Sequence, residues 1–468
     1  MKKRSTKLKW IGATLAGLGA LAVSSGAMAN KHEHHAEPHG MKAESDGGLM
    51  VFSPSDSTYW FELGGRLAFD ETQFAGGYQD KNGDFPSGGN IRYARLKFAG
   101  GVGEYLTYNL TLNFNESSTR GQNATNVDFE DAWLAACSEY SGAIDRASIR
   151  FGQYTPPTSI DDWGNYGTVN DNFFLESSLA TKAFARPTKV IGLWVDATAF
   201  DMFALSMSAH QPRQNNTGIA NNTDSANNYL NPGRSDRLGG NVRLTFAPVH
   251  TEDTVYHLGV IGRYQSMNNV VSGAPVYQAN FFSVAPEARA RNTNQVVNTG
   301  NIRARSFNVV TGEALAMWGP AWIEGEYSQA NVQRVPTITV ANSGNNPEFN
   351  SWHIQGGYVI TGESRVYDFV SGTLRNPKPA DRCGAWEVLA RFSYVNLVDR
   401  NIYGGSEHNA SLGLNWFVNE NVRIAANYIR ANIRATSSTT PGTAPAGPPT
   451  LPTKRQLDIF GLRFGVEF

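Results

Sequence analysis

Counting back in twos from the carboxyl end, Phe468, Val466, Phe464, Leu462 and Phe460 are all apolar, while Glu467, Gly465, Arg463 and Gly461 lie between them. A period of two puts one kind of side chain on each face of an extended strand. The alternation is already present from Tyr59, where Phe61, Leu63, Leu67 and Phe69 are apolar and Glu62, Arg66 and Asp70 are charged. It is clearest where Leu106, Tyr108, Leu110, Leu112 and Phe114 interleave with Thr107, Asn109, Thr111 and Asn113. About sixteen such runs of roughly 9–15 residues follow one another along the chain.

One alternating strand does not distinguish a sandwich, whose apolar face meets a core, from a large barrel, whose apolar face meets lipid. Number and spacing help. Short connectors near Gly103 and Gly142, at Gly319-Pro320 and at Asn419-Glu420 take turns with long ones at 75–90, 116–126, 156–187, 211–236, 267–305, 336–349 and 436–454. The long ones are rich in Asn, Gly, Ser, Thr and Pro, the composition of solvated loops. The pattern predicts an all-β fold: a 16-stranded antiparallel transmembrane β-barrel with short periplasmic turns and long extracellular loops. In hydrocarbon every backbone polar group must be paired, so a spanning sheet has to close on itself. One connector breaks the rule: 363–383 is long where a short turn is expected, and pattern alone does not explain it.

The amino end adds a direction. Five Lys or Arg and no acid in residues 1–10 precede an apolar run, and Ala27-Met28-Ala29 closes it, so residues 1–29 read as a secretory signal peptide. Residues 30–55 show no periodicity and read as a flexible, His-rich periplasmic segment. Its His32, His34, His35 and His39 could bind a metal weakly, or simply belong to a polar tail. Residues 56–468 form the barrel domain. The 47 Gly, together with 10 Trp, 18 Tyr and 25 Phe, favour many short strands over stacked helical domains. Tyr59, Trp60, Trp194, Trp386, Tyr394, Trp416 and Tyr428 fall near strand ends, as interfacial belts require, although β-propensity alone also places aromatics there.

Without the signal peptide the 40 basic residues become 35 against 41 acids, a balance of −6. That gives no support to a nucleic-acid partner. Cys137 and Cys383 fall on strands 4 and 13, far apart around the ring, and are expected to be free thiols.

Parity assigns the faces. With Leu96 and Phe98 outward, Tyr93, Arg95 and Lys97 point into the lumen; with Ile149 and Phe151 outward, so does Arg150. The rule also turns Arg66, Arg243, Arg263, Arg391, Arg423 and Arg463 inward, with Glu62, Asp70, Glu324, Glu326, Glu387 and Glu467. Charges on a pore wall offset the hydration that an ion loses and set its preference. The acidic third loop, with Asp161 and Asp162, is expected to line a constriction opposite some of Arg66, Arg95, Arg150 and Arg391.

Several segments, in order, carry a resemblance: FELGGRLAFDETQF, IRYARLKFAG, IRFGQYTPP, FAPVH with VYHLGV, YVITGESRVYDF, GAWEVLARFSY and SLGLNWFVNENVRIAANYIRA. Together they resemble the phosphate-selective porin O/P family of Gram-negative outer-membrane porins. The resemblance implies a passive channel for small hydrophilic solutes or inorganic ions, a homotrimer, narrowed by an inward third loop and carrying no cofactor. It implies contact with outer-membrane lipid and lipopolysaccharide, and reading of the terminal Phe468 by the barrel assembly machinery. It also accounts for 363–383, since the family has a longer periplasmic segment there. The chain departs from the family in strand 2, where Arg92 is followed by Tyr93 in place of a second Arg. It departs again in the third loop, which has Asp161, Asp162, Asp171 and Glu176 and no Lys before Lys182. The arginines of the fifth loop are only partly echoed, by Arg289, Arg291, Arg303 and Arg305. A general diffusion channel is therefore the primary reading, an anion- or phosphate-selective one the alternative, and a barrel acting as surface adhesin or antigen a third. An enzyme would need a nucleophile, a base and an orienting group. His257 points inward with no such motif beside it.

Overall fold

The computed structural model describes residues 42–45, 49–52, 59–76, 85–114, 127–161 without 141, 173–184, 189–212, 238–288 without 268, 272–273, 277 and 281, 297–335, 345–435 and 453–468. Sixteen strands form the wall. They are β1 (Tyr59–Ala75), β2 (Gly88–Val102), β3 (Leu106–Asn113), β4 (Asp128–Glu139), β5 (Ile144–Tyr154), β6 (Val190–Ala199), β7 (Phe203–Pro212) and β8 (Gly239–His250). They continue as β9 (Thr254–Ser266), β10 (Asn301–Trp318), β11 (Ala321–Arg334), β12 (Glu348–Val359), β13 (Ala385–Asp399), β14 (Ile402–Phe417), β15 (Val422–Ala435) and β16 (Thr453–Glu467). Each pairs antiparallel with its neighbours in sequence, and β16 pairs with β1 from Asp458↔Ala75 to Glu467↔Arg66, which closes the ring.

The alternation in the sequence becomes two faces. Leu134, Phe151, Leu258, Phe392 and Leu412 stand exposed on the outside, while Thr107, Asn109, Thr111, Ser206 and Ser208 are buried within. Closure depends on a glycine. Phe468 exchanges backbone hydrogen bonds with Gly65, at 2.7 and 3.0 Å. Its ring covers Gly65 so closely that a Cβ there would lie 2.4 Å from Cζ. An aromatic ring shielding a strand glycine is a known way to pin register.

The residues 30–55, read as a tail, contain a small hairpin, Lys42–Ser45 with Leu49–Phe52, whose second strand extends the sheet alongside Trp60–Leu63. The remainder of that segment, with His32, His34, His35 and His39, lies outside the described residues. Trp194, expected in an interfacial belt, is instead fully buried inside the ring. It is registered against the inward-facing Arg150 across β5 and β6, so parity rather than strand-end position decides its face. Cys137 and Cys383 are both free.

The ring is also filled from within. The third long connector holds a one-turn helix, α1 (Leu179–Phe184). Leu179, Ala183 and Phe184 from it, with Phe282, Val284 and Val297 from the connector between β9 and β10, pack on Val332, Phe349, Val395, Leu397, Ile429 and Ile433 of the wall. Burial of each large apolar side chain contributes about 1.5–3 kcal/mol. From the opposite rim, the connector at 360–384 sends in a hairpin, Arg365–Asp368 with Thr373–Pro377. Ser371, Thr373 and Leu374 in it are buried.

The face assignment can be tested on β3, where Leu110 is on the outer side and Asn109 is 3% exposed on the inner. Leu110→Arg should destabilise the folded barrel in lipid by about 2–4 kcal/mol if it lies near the bilayer midplane. Asn109→Ala should cost much less in the same folding titration. The reverse order would invert the assignment of β3.

Candidate functional site

Of the residues that parity turns inward, Arg66, Arg95, Lys97 and Glu467 are partly buried, and the others are buried. On the wall formed by β16, β1, β2 and β4, opposite charges pair along and across strands. Arg66 meets Glu467 at 3.0 Å, Arg95 meets Glu130 at 2.9 Å, and Lys97 meets Glu62 at 2.7 Å. Arg463 holds Asp70 with two hydrogen bonds of 2.7 Å. Arg150 stacks between Trp133 and Trp194, 4.4 and 4.5 Å from the ring centres.

A β-bulge changes what β2 presents. The register with β1 slips between Ala68 and Phe69, so that Tyr93 pairs with Ala68 and Ile91 with Phe69, leaving Arg92 as the extra residue. A bulge of this kind turns two successive side chains to one face. Tyr93 is buried, with Arg92 and Arg95 over its ring at 4.3 and 4.8 Å. Arg92 reaches across to Glu176 of the third connector, at 2.6 and 3.1 Å. Parity assigns Tyr93 to the interior but not Arg92. The sequence does carry the signal, because the outward apolar positions change from odd at Ile91 to even at Leu96 and Phe98.

The third connector is stitched to the far wall. Glu326 accepts hydrogen bonds from Ser159 Oγ at 2.7 Å, from the Ile160 N–H at 3.1 Å and from Thr181 Oγ1 at 3.1 Å. His353 bridges Glu324, 3.0 Å from its Nε2, and Ser178, 3.0 Å from its Nδ1. Asp161 is fully buried; it accepts from the Ser178 N–H at 2.6 Å and from Gln355 Nε2 at 3.2 Å, and lies 3.5 Å from Arg391. Of the four arginines considered opposite it, Arg391 is the one it meets; Arg66 and Arg95 engage wall acids and Arg150 its tryptophans. Asp162 and Asp171 lie outside the described residues. Glu176, not singled out for this part, makes the connector's contact with Arg92, and lies 3.5 Å from Arg463. Arg263 donates to the Phe184 carbonyl at 2.5 Å, and Arg423 donates to that of Phe173 at 2.7 Å.

The inward hairpin is fixed by buried charge. Arg365 grips Glu387 with two hydrogen bonds of 2.6 Å, and Trp322 Nε1 donates to the same carboxylate at 2.8 Å. Arg243 pairs with Glu313 at 2.7 Å and donates to the carbonyls of Ser371 and Gly372. His257 stands between Glu313, at 3.1 Å, and the Tyr367 hydroxyl, at 2.8 Å, so its polar neighbours anchor the hairpin. Within the hairpin, burial pushes Asp368 up, but the Arg375 guanidinium overcomes it and holds the carboxyl below its ordinary range. The two inward segments touch where the Arg365 guanidinium lies 4.6 Å from the ring centre of Phe173, which itself stacks on Trp322 of β11 with centres 4.2 Å apart.

Solvent reaches the two sides unequally. Arg95 and Lys97 each keep 17% of their side-chain surface, whereas Arg391 keeps 1% and Arg365 none. Small hollows of about 10 Å³ each lie beside Arg263 and Glu326 and beside Asp70, Glu176 and Glu287.

Comparison with known proteins follows this geometry. The family model described as phosphate-selective porin O and P matches residues 61–447. Porin O of Pseudomonas aeruginosa is 26% identical over 412 residues, covering 83% of this chain and 86% of that protein. An uncharacterized Caulobacter vibrioides protein is 22% identical over 398 residues, covering 81% of this chain and 70% of its own. Among solved structures, the anion-selective porin from Comamonas acidovorans shares the fold, with a TM-score of 0.50 and 13% identity over 88% of this chain and all of that one.

Removing one partner of a buried ion pair typically costs about 3–5 kcal/mol. Arg365→Met should therefore release the hairpin, lower thermal stability in detergent and expose 365–377 to protease. Wild-type resistance to cleavage would show that other contacts hold it.

Proposed function

The chain belongs to the phosphate-selective porin O and P family, and on that premise we propose how its interior conducts. It is an outer-membrane porin, a channel for passive diffusion of small hydrophilic solutes and ions. The observation that carries the finer reading is the greater exposure of Arg66, Arg95 and Lys97 than of Arg365 and Arg391. The side of β8 to β14 is closed by the third connector and the hairpin. The route runs instead along β16 and β1 to β5, past Arg66, Tyr93, Arg95, Lys97 and Glu62. Arg150 and Arg463 support this route from behind; Asp161, with Arg243, Arg263, Arg391, Glu324 and Glu387, holds the fillers in place. Their roles as pore-lining or pore-shaping residues belong to this proposal. So do assembly as a homotrimer, cleavage of the signal peptide after Ala29, contact with lipopolysaccharide and reading of Phe468 by the barrel assembly machinery.

A preference for anions has one specific observation in its favour. Arg92, Arg95 and Lys97 lie together on β2 near Arg463. Against it, every one of these four has a carboxylate within 3.1 Å. A local field so balanced suits general diffusion of small polar solutes. Glu176 is the acid whose removal changes this most, because it faces Arg92, Lys182 and Arg463.

Glu176→Gln should raise the ratio of anion to cation permeability several-fold, read as the reversal potential in a salt gradient, and should increase block of chloride current by added phosphate. An unchanged reversal potential would remove Glu176 and its arginines from the conducting route.

A further inference from the structure

Two side chains of the inner wall differ from the paired groups around them. Glu407 on β14 is fully buried, and neither of its carboxylate oxygens accepts a hydrogen bond from a described residue. Asn409 lies two residues along the strand and so on the same face. It is 2% exposed, and neither its amide oxygen nor its nitrogen finds a partner among the described residues. The strands on either side of Glu407 present Val395 and Ile433, both fully buried. A lone carboxylate enclosed by such surroundings is costly to keep charged.

Glu287 comes from the connector between β9 and β10 and lies over the same patch of wall. It accepts from Ser393 Oγ at 2.5 Å, from Ser411 Oγ at 3.1 Å and from the Leu179 N–H of α1 at 2.8 Å. Ser393 is the cross-strand neighbour of Asn409, and Ser411 is two residues beyond it. The sector as a whole is negative: Asp161, Glu287, Glu324, Glu326 and Glu407 are all buried there, with Arg391 and His353 as their basic neighbours.

We propose that Glu407, Glu287 and Asn409 bind a hard divalent cation, with Ca²⁺ the ion that fits. Two carboxylates and an amide oxygen are the donors that Ca²⁺ takes, and it tolerates irregular geometry. Mg²⁺ is smaller and demands near-ideal octahedral coordination at short distances, which this irregular donor set does not offer. Bound there, the ion joins β14 to the connector carrying Glu287, and through the Leu179 N–H to α1. The fillers of the ring are then fastened by an ion as well as by apolar packing.

The test uses the full mature chain folded in detergent and stripped with EDTA. Calorimetric titration with CaCl₂ should give one site per chain, and Ca²⁺ should raise the unfolding temperature while equal Mg²⁺ does so much less. Glu407→Gln should weaken Ca²⁺ binding about tenfold or more and make stability independent of Ca²⁺. Asn409→Ala, a milder change, should weaken binding while folding normally, and it carries the test if Glu407→Gln does not fold. No Ca²⁺ uptake by the wild type at millimolar concentration, or unchanged uptake by the variant that folds, would overturn the site. Ion currents in bilayers are a separate readout, so failure here leaves the channel reading intact.

Discussion

The backbone hydrogen bonds between β16 and β1 are the contacts on which everything else rests. In lipid an unpaired N–H or C=O costs several kcal/mol, and an open sheet would leave a whole edge of them. Ten register pairs from Asp458 to Glu467 seal that edge, and Phe468 ends the seam by laying its ring over Gly65. Once the ring is closed, alternation does the sorting. Residues such as Leu134 and Leu258 can only face outward, and Asn109 and Arg391 can only face inward.

Closure creates an interior too wide for side chains of the wall to fill, since barrels of this strand number leave an aqueous lumen. The chain narrows it with segments from both rims. Their anchoring follows the chemistry of the wall. Near the long connectors the inner face becomes apolar, and Phe184, Phe282 and Val297 pack there as in a soluble core. Deeper in, the anchors are charge pairs such as Arg365 with Glu387 and Arg243 with Glu313. The third connector also reaches the opposite wall, where its Glu176 meets Arg92 of β2 and lies near Arg463 of β16.

Much of this was legible in the sequence because side-chain period and backbone pairing are local properties. Strand number, ring closure, the inward turn of Arg66, Arg95, Arg243 and Glu387, and the free thiols all follow from counting. What was not legible depends on residues far apart in the chain. The bulge at Arg92 brings that side chain to the inner face beside Tyr93 through a slip of one register step against β1. Trp194 lies in the middle of β6, and its register against Arg150 places it inside. Ile429 and Ile433 face inward although they are apolar, because the filling connectors cover them. Parity read with the rule that apolar means outward cannot anticipate a plug. Pairings such as Arg92 with Glu176, 84 residues apart, have no local signature at all.

The central claim is that the polar faces enclose a water-filled path even with these segments folded inward. The most direct measurement is the current through the purified chain in a planar lipid bilayer. The account predicts stepwise, ohmic increments that appear on insertion and persist at low voltage. A barrel that inserts and unfolds cooperatively, yet passes no current at any voltage tried, would contradict it.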